Sequence, residues 1–163
     1  MKKWLLILLC ALFLTGCHAE VFETVDDPDD VQVMATPAQL LLELPEDAAA
    51  PVMNTSGGKL YFCDGFDVTV EVLSSGNLDG TLRLLTGFGW EELSILQTKR
   101  CGVDCFEGVW SAAGEAGDQV GRFLILDDGS FHYCVTVLAP AENAAASMDE
   151  WHGVLDSVKL AEG

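Results

Sequence analysis

The side chains of this chain with the widest range of chemistry are its cysteine thiols. A thiol can carry an acyl group or form a disulfide, and as a thiolate it can bind zinc or act as a nucleophile. Compartment and neighbouring residues decide among these roles. The sequence has six such residues, Cys10, Cys17, Cys63, Cys101, Cys105 and Cys134.

The residues before Cys17 have the pattern of a secretion signal. Lys2 and Lys3 precede an apolar run, Trp4 to Leu14, which is shorter than the roughly 20 residues that a spanning helix needs. The run ends in Leu14-Thr15-Gly16-Cys17, which resembles the lipobox of bacterial lipoproteins. This resemblance implies that the Cys17 thiol is joined to a diacylglycerol, that the bond before it is cut, and that the new N-terminus is acylated.

Lipidation at Cys17 predicts a protein held at the extracytoplasmic face of a cell membrane without a transmembrane helix. Each buried methylene contributes about 0.8 kcal/mol, so two or three acyl chains hold a protein far more firmly than one. The alternative is an ordinary secretion signal in which the four-residue motif arises by chance. The lipid on Cys17 is therefore the predicted membrane partner of this chain.

The acidic charge of the chain excludes one class of partner. The sequence has 8 basic and 26 acidic residues. Loss of Lys2 and Lys3 with the signal leaves 6 − 26 = −20 for the mature chain. Nucleic-acid binding depends on neutralising phosphates with clustered Lys and Arg, and this chain has no such cluster. We therefore predict no nucleic-acid partner.

Carboxylates are densest just after Cys17. The motif Asp26-Asp27-Pro28-Asp29-Asp30 lacks the glycine turn and closing glutamate of a calcium-binding EF-hand loop, which favours an extended, solvated linker. We predict a signal peptide over residues 1–16, an acidic tether over 17–37 and a single globular domain over 38–163. The last has a common size for one domain.

The first half of the predicted domain contains a strand, a hairpin and a helix. Gln39 to Leu44 lies between two prolines and places Leu40, Leu42 and Leu44 on one side, as a strand does. Lys59 to Cys63 and Phe66 to Leu73 flank Asp64-Gly65, which predicts a hairpin with a type I′ turn. Asn77 is placed to cap a helix that Gly87 ends.

The second half predicts an antiparallel meander followed by a closing helix. The helix covers the alanine-rich segment from Glu142 to Leu155, and a short strand follows at Val158 to Leu160. The four strands of the meander are Leu93 to Lys99, Cys105 to Ala113, Gln119 to Leu126, and Phe131 to Leu138.

These elements predict the α+β class, with an antiparallel sheet of about six strands and helices packed on it. The element order, the strand start Gly117-Asp118-Gln119-Val120 and the ending from Trp151 to Val158 resemble the Mog1/PsbP-like fold. A cystatin-like or NTF2-like sheet is the alternative. The resemblance implies a binding or assembly factor without an active site, and it names no ligand.

Four cysteines remain after the signal and the lipidation site are set aside. In an oxidising compartment we expect disulfides, with Cys63 to Cys134 joining two strands and Cys101 to Cys105 closing a hairpin turn. The second pair would sit in a turn that must widen to suit disulfide geometry. Free buried thiols are the alternative.

The sequence supports an enzymatic role for the same residues less well than it supports disulfides. The spacing of Cys101 and Cys105 differs from the Cys-X-X-Cys of redox enzymes. His132 and Cys134 alternate onto one strand face and, with Cys63, form a weak zinc alternative without a fourth ligand. No hydrolase motif is present.

The sequence therefore predicts no catalytic residue and no metal or other cofactor. We expect a non-enzymatic, lipid-anchored binding or assembly domain, with an unknown envelope protein or small ligand as its partner. The alternative is an extracytoplasmic thiol-redox or metal-dependent enzyme.

Overall fold

The computed structural model describes residues 35–54, 58–113 and 117–161. Residues 35–163 cluster as one compact unit. The signal peptide, Cys17 and most of the acidic tether lie outside the described residues, so their boundaries stay predictions. Within the described ranges, no helix has both the length and the apolar character needed to cross a membrane.

Nine strands lie within the described residues. They are β1 (Leu40–Leu41), β2 (Met53–Asn54), β3 (Gly58–Cys63), β4 (Phe66–Ser74), β5 (Ile95–Arg100), β6 (Val103–Ala112), β7 (Gln119–Asp127), β8 (Phe131–Pro140) and β9 (Lys159–Leu160).

Seven of these strands form one antiparallel sheet in the order β2-β3-β4-β8-β7-β6-β5. Six of the seven have at least six residues, and β2 is a two-residue edge strand. This confirms the predicted α+β class and its sheet of about six strands. The first predicted strand is shorter than expected, because only Leu40–Leu41 pairs, and it pairs with β9 rather than with the main sheet.

Three α-helices lie within the described residues: α1 (Leu78–Thr86), α2 (Ala141–Ala144) and α3 (Met148–Ser157). Helix α1 begins and ends as predicted. The Asn77 side chain accepts a hydrogen bond from the backbone N–H of Asp79, and Gly87 ends the helix with φ of 83°. The predicted closing helix is instead two helices, α2 and α3. In the segment that joins them, the N–H groups of Ala146 and Ser147 both donate to the carbonyl of Asn143.

The hairpin turns follow the predicted register but not the predicted turn type. Cys63 pairs with Phe66 across Asp64-Gly65, as expected for a two-residue turn. Gly65 has φ of 82° while Asp64 is not among the residues with positive φ, so this turn is not type I′. The β5–β6 turn does have positive φ at both positions, 54° at Cys101 and 80° at Gly102.

The two faces of the sheet carry different helices and different cores. On the α3 face, Val68, Leu124 and Val135 belong to a cluster that includes Trp151 and Leu155 of α3. Leu40, Leu42 and Leu44 also pack against that cluster, as their alternation predicts. On the α1 face, the buried cluster packs against Leu82 of α1; its other members are Phe106, Trp110, Phe123, Ile125 and Cys134.

A candidate binding groove beside helix α3

A mostly apolar concavity on the α3 face is a groove between helix α3 and strands β5, β6 and β7. Its volume is about 450 Å³, within the range of roughly 300–1,000 Å³ typical of small-ligand sites. Apolar side chains supply most of the lining, with three ionisable groups among them. The apolar lining is Leu96, Val109, Val120, Met148 and Trp151, and the ionisable lining is Glu107, Arg122 and His152.

Strand register explains why the groove lies at this end of the sheet. Leu96 pairs with Glu107 and Val109 pairs with Arg122, so these four side chains share the α3 face. Helix α3 leaves this face open at β5 and β6. Leu96 of β5, Val109 of β6 and Met148 of α3 are 62%, 57% and 48% exposed. Three exposed apolar side chains on one concave surface are typical of a binding site.

A charged cluster, Arg100, Glu107 and Arg122, lies beside these apolar side chains. The Glu107 carboxylate lies 3.3 Å from Arg100 Nη2 through Oε1 and 3.3 Å from Arg122 Nη2 through Oε2. The Glu107 side chain is only 13% exposed. Two guanidinium groups thus share the Glu107 carboxylate, and Asp156 Oδ1 lies 4.0 Å from Arg100 Nη2, so the two positive charges have two carboxylates beside them.

The charged cluster is tied to helix α3 at two points. Arg100 Nη1 donates a hydrogen bond of 2.6 Å to the carbonyl of Leu155. Arg122 Nη1 lies 2.9 Å from Nδ1 of His152. Arginine only donates hydrogen bonds, so Nδ1 of His152 is the acceptor in this pair. These bonds hold Arg122 between β7 and α3, where it lines the groove.

Trp151 adds an unused hydrogen-bond donor to the same lining. The side chain is 2% exposed, and its ring packs edge-on against Phe66 at a centroid distance of 6.3 Å. Among the described residues, its indole Nε1 is the one buried side-chain polar atom with no hydrogen-bond partner. Buried polar groups without partners are rare because they cost free energy.

The predicted Cys63–Cys134 disulfide is wrong. Both cysteines are free thiols, and the register places them on opposite faces of the sheet. Cys63 pairs with Phe66 on the α3 face, whereas Cys134 pairs with Glu71 on the α1 face. With strand β4 between their strands as well, the two sulfur atoms cannot meet.

The structure does not contain the predicted Cys101–Cys105 disulfide either. Cys101 is an exposed free thiol in the tight β5–β6 turn, and Cys105 is a buried free thiol that pairs with Thr98. The two-residue turn has not widened, which is what this bridge required. The alternative of free thiols describes these four residues.

The environment of three of the thiols disfavours a redox enzyme. Burial, together with nearby Asp47, Asp67 and Glu150, raises the pKa of Cys63 to about 11. Burial also raises the pKa of Cys105 and, more strongly, that of Cys134. A catalytic thiolate needs a lowered pKa, so these thiols are protonated and unreactive at neutral pH.

The structure does not bring the three candidate zinc ligands together. His132 and Cys134 do share the α1 face, but Cys63 lies on the other side of the sheet. Within the part of the chain that the structure describes, no group of three His, Cys, Asp or Glu side chains is placed to hold a metal ion.

His132 instead forms a buried polar cluster. Its Nδ1 lies 2.8 Å from Oγ1 of Thr81, and its Nε2 lies 3.5 Å from both Asp127 Oδ2 and Ser75 Oγ. A catalytic Ser-His-Asp triad needs the serine and the aspartate on opposite ring nitrogens. Here both are at Nε2, so the cluster joins α1 to the sheet without the geometry of a nucleophile.

Sequence reasoning missed Arg100, Glu107 and Arg122. The signal that could have found them is a break in the apolar alternation. In β7, Val120, Leu124 and Leu126 share the α3 face with Arg122, so a charged residue stands in an otherwise apolar stripe. Such a residue needs a partner, and Glu107 on the neighbouring strand supplies it.

No family model matches the sequence, and no curated protein matches it. Two solved structures share the fold at low identity. One is LpqN of Mycobacterium tuberculosis, described as involved in cell envelope biogenesis, with 13% identity and a TM-score of 0.51 over 78% of this chain and 87% of that one. The other is a Bacteroides thetaiotaomicron protein, with 14% identity and a TM-score of 0.50 over 76% of this chain.

These likenesses define the protein by its fold alone, as an α+β sheet domain. The chain spans 45% of the length of the Bacteroides protein. Neither likeness names the Mog1/PsbP-like group, so that assignment stays a prediction. At these identities the likeness extends to the fold alone, and the site must be argued from its own residues.

Proposed function

We propose that this protein is a non-enzymatic, lipid-anchored extracytoplasmic binding domain, and that the groove beside α3 holds its ligand. The observation that carries this proposal is the groove itself, an open and mostly apolar concavity with a charged cluster beside it. Sites of this composition bind ligands through buried apolar area and use a few polar groups to orient them.

The lipobox-like motif supports the location. Acylation at Cys17 would tether the domain to a membrane, and the acidic residues after it would hold the domain away from anionic lipid. The fold likeness to LpqN, a protein described as involved in cell envelope biogenesis, fits an envelope role. A binding domain held at the membrane has direct access to envelope components.

The thiol-redox and metal-enzyme alternative has less support. The raised pKa values of Cys63, Cys105 and Cys134 favour neutral thiols, and the candidate zinc ligands lie on two faces of the sheet. The groove lining includes one histidine, His152, whose Nδ1 is engaged by Arg122.

The anchor is tested by metabolic labelling with palmitate in a bacterial host that processes lipoproteins. The wild-type chain is expected to incorporate label and to sediment with membranes. Cys17→Ser should incorporate none. A chain that stays unlabelled with Cys17 intact would contradict lipidation.

The groove is tested by photo-crosslinking in cells, with a photoreactive side chain at Val109 or, as control, at Leu84. Both residues are exposed apolar side chains, 57% and 67% exposed, but Leu84 lies on α1 away from the groove. We expect an adduct of defined mass, lipid or protein, at Val109 only. No adduct, or the same adducts at both positions, would overturn the groove as the binding site.

A further inference from the structure

Beyond the groove and its ligand, we propose that strand β5 is a dimerisation edge, at which a second copy of this chain adds its own β5 in antiparallel orientation. Three features of the same edge carry this inference. They are the open backbone groups of β5, the exposed apolar side chains beside it, and the opposite charges at its two ends.

The backbone of β5 is open to a partner along its outer side. The strand is the last of the sheet, and among the described residues it pairs with β6 alone. A two-residue turn hydrogen-bonds the pair that flanks it, here Arg100 and Val103. Because the bonding direction alternates along an antiparallel strand, the N–H and C=O groups of Ile95, Gln97 and Lys99 point away from β6. An added strand would give these groups partners.

Apolar side chains are exposed on both faces of the sheet at this edge. Residues 96–99 are exposed, and Leu96 on the α3 face is 62% exposed. On the α1 face, Trp90 is 41% exposed, and its ring packs edge-on against Phe106, the β6 partner of Gln97. A strand laid beside β5 would bury apolar area on each face, and an open edge of this kind is a template for pairing with another chain.

The charges around β5 are segregated as antiparallel self-pairing requires. The strand has no carboxylate and ends in Lys99 and Arg100, whereas Glu91 and Glu92 lie just before its start. An antiparallel copy reverses this order, so Lys99 of each copy comes beside the acidic residues of the other. Glu91 has no ion-pair partner among the described residues. The ion pair of Lys99 with Asp104 is exposed, 72% and 46%, and such pairs hold their side chains weakly.

The register of β5 fits a second copy of itself. Pairing centred on Gln97 gives all three open residues a partner, since Gln97 meets its own counterpart and Ile95 meets Lys99. Each Leu96 then lies diagonal to the other on the α3 face, so the apolar surfaces of two grooves join across a two-fold axis. A lysine on an edge usually keeps other strands away. Here the acidic residues at the opposite end of the same edge compensate it.

Cysteine crosslinking tests the pairing in the full chain, expressed in a bacterial host that processes lipoproteins. The parent carries Cys101→Ser, which removes an exposed thiol. Gln97→Cys is compared with Gln119→Cys, the same exchange at an exposed position of β7. After mild oxidation of the cells, we expect a disulfide-linked dimer with Gln97→Cys and none with Gln119→Cys or the parent. The two-fold axis brings only the first pair of thiols within reach of a disulfide.

A charge exchange tests the register. Lys99→Glu places like charges beside each other at both ends of the paired strands, and Glu91→Lys in the same chain restores opposite charges. Sedimentation equilibrium of the chain carrying Cys17→Ser measures the dimer Kd. We expect Lys99→Glu to raise Kd about 10-fold and the double variant to restore it to within about 2-fold. Lys59→Glu, at an exposed lysine of β3, should leave Kd unchanged. Far-UV circular dichroism checks folding.

The outcomes separate the dimer from its alternatives. Linked dimer at both cysteine positions or at neither would overturn β5 as the pairing edge. A crosslink from Gln97→Cys to a different protein would overturn the second copy as the occupant of the edge. A loss in Lys99→Glu that Glu91→Lys does not reverse would overturn the antiparallel register. The crosslink at Val109 tests the groove separately, so failure of the dimer leaves the proposed function standing.

Discussion

The two faces of the central sheet are covered to different degrees. On the α1 face, α1 and the segment after it cover the outer strands, and Phe106, Phe123 and Ile125 are buried there. On the α3 face, the outer strands keep Leu96 and Val109 exposed beside a charged cluster. The closed face supplies stability, and the open end of the other face is free to bind a ligand.

Buried polar groups differ between the faces in the same way. On the α1 face, both ring nitrogens of His132 have partners within the protein, Thr81 at Nδ1 and Asp127 and Ser75 at Nε2. On the α3 face, the indole donor of Trp151 has none among the described residues, and two arginines share one carboxylate. Polar groups with partners inside the protein help to fix a fold, so the α1 face is the better satisfied of the two.

The largest expected effect is on the closed face. Phe123→Ala removes a fully buried ring that packs against Trp110 at a centroid distance of 6.1 Å. We expect it to lower the free energy of unfolding by about 3–5 kcal/mol. Phe62→Ala, the same exchange at an exposed position, should change it by less than about 1 kcal/mol. Urea unfolding measures both, and similar losses in the two variants would break the distinction between core and surface.

A smaller effect is expected at the charged cluster. Glu107→Gln removes the carboxylate that two guanidinium groups share, and we expect it to lower the free energy of unfolding by about 1–3 kcal/mol. Glu142→Gln, at an exposed carboxylate outside the groove, serves as control. Urea unfolding measures both variants, and equal losses would argue against Glu107 as the shared partner of the two arginines.

The stability of the protein should depend on pH through Asp128, which is bonded to Tyr133 in the core of the α3 face. The Tyr133 hydroxyl donates to Asp128 Oδ2 and accepts from the Ala38 N–H, both at 2.8 Å. Burial alone would raise the pKa of Asp128, but hydrogen bonds from Tyr133, Phe131 and Ser130 outweigh it and lower that pKa. A carboxylate whose pKa is lowered by folding stabilises the protein above its unfolded pKa, and this stabilisation is lost as the pH falls through the folded value.

Asp128→Asn should therefore cost about 1 kcal/mol at pH 7, and the difference from the parent should shrink below about pH 4. Unfolding measured from pH 3 to pH 7 checks this, with the exposed Asp118→Asn as control. A difference that stays constant over this range would contradict the assignment.

The smallest effect is expected on the rate at which thiols of the folded protein are labelled. This rate tests whether the groove extends to the buried Cys105. Cys105 on the α3 face and Cys134 on the α1 face are both buried, whereas Cys101 is exposed. A thiol reagent at neutral pH should react quickly at Cys101, and Cys101→Ser should remove that fast phase. Cys105 and Cys134 should react only on unfolding. Rapid native labelling of Cys105, whose sulfur lies 3.8 Å from Glu107 Oε1, would mean that the groove is deeper than the structure gives it.

Most of the fold could be predicted because local patterns specify it. The cap at Asn77, the stop at Gly87 and the register of Cys63 with Phe66 all depend on residues close in sequence. The break between α2 and α3 and the pairing of β1 with β9 depend on distant contacts, and the sequence pattern missed both.

The predicted Cys63–Cys134 disulfide and the zinc alternative with the same two cysteines failed for one geometric reason. A strand places successive side chains on opposite faces, so a cysteine's position along the chain gives its face only after the register of every intervening strand is known. Cys63 pairs with Phe66 and Cys134 pairs with Glu71 on the intervening strand β4, and these two residues of β4 point to opposite faces.

The sequence by itself determined the acidic charge, the lipobox-like motif that predicts acylation at Cys17, and the α+β class, because composition, short motifs and periodicity are local properties. Only the tertiary structure decided where the groove lies. Pairing Val109 with Arg122 and Leu96 with Glu107, and laying α3 across the inner strands alone, brings residues from four elements to one surface. Such a surface is a property of packing, and no window of sequence contains it.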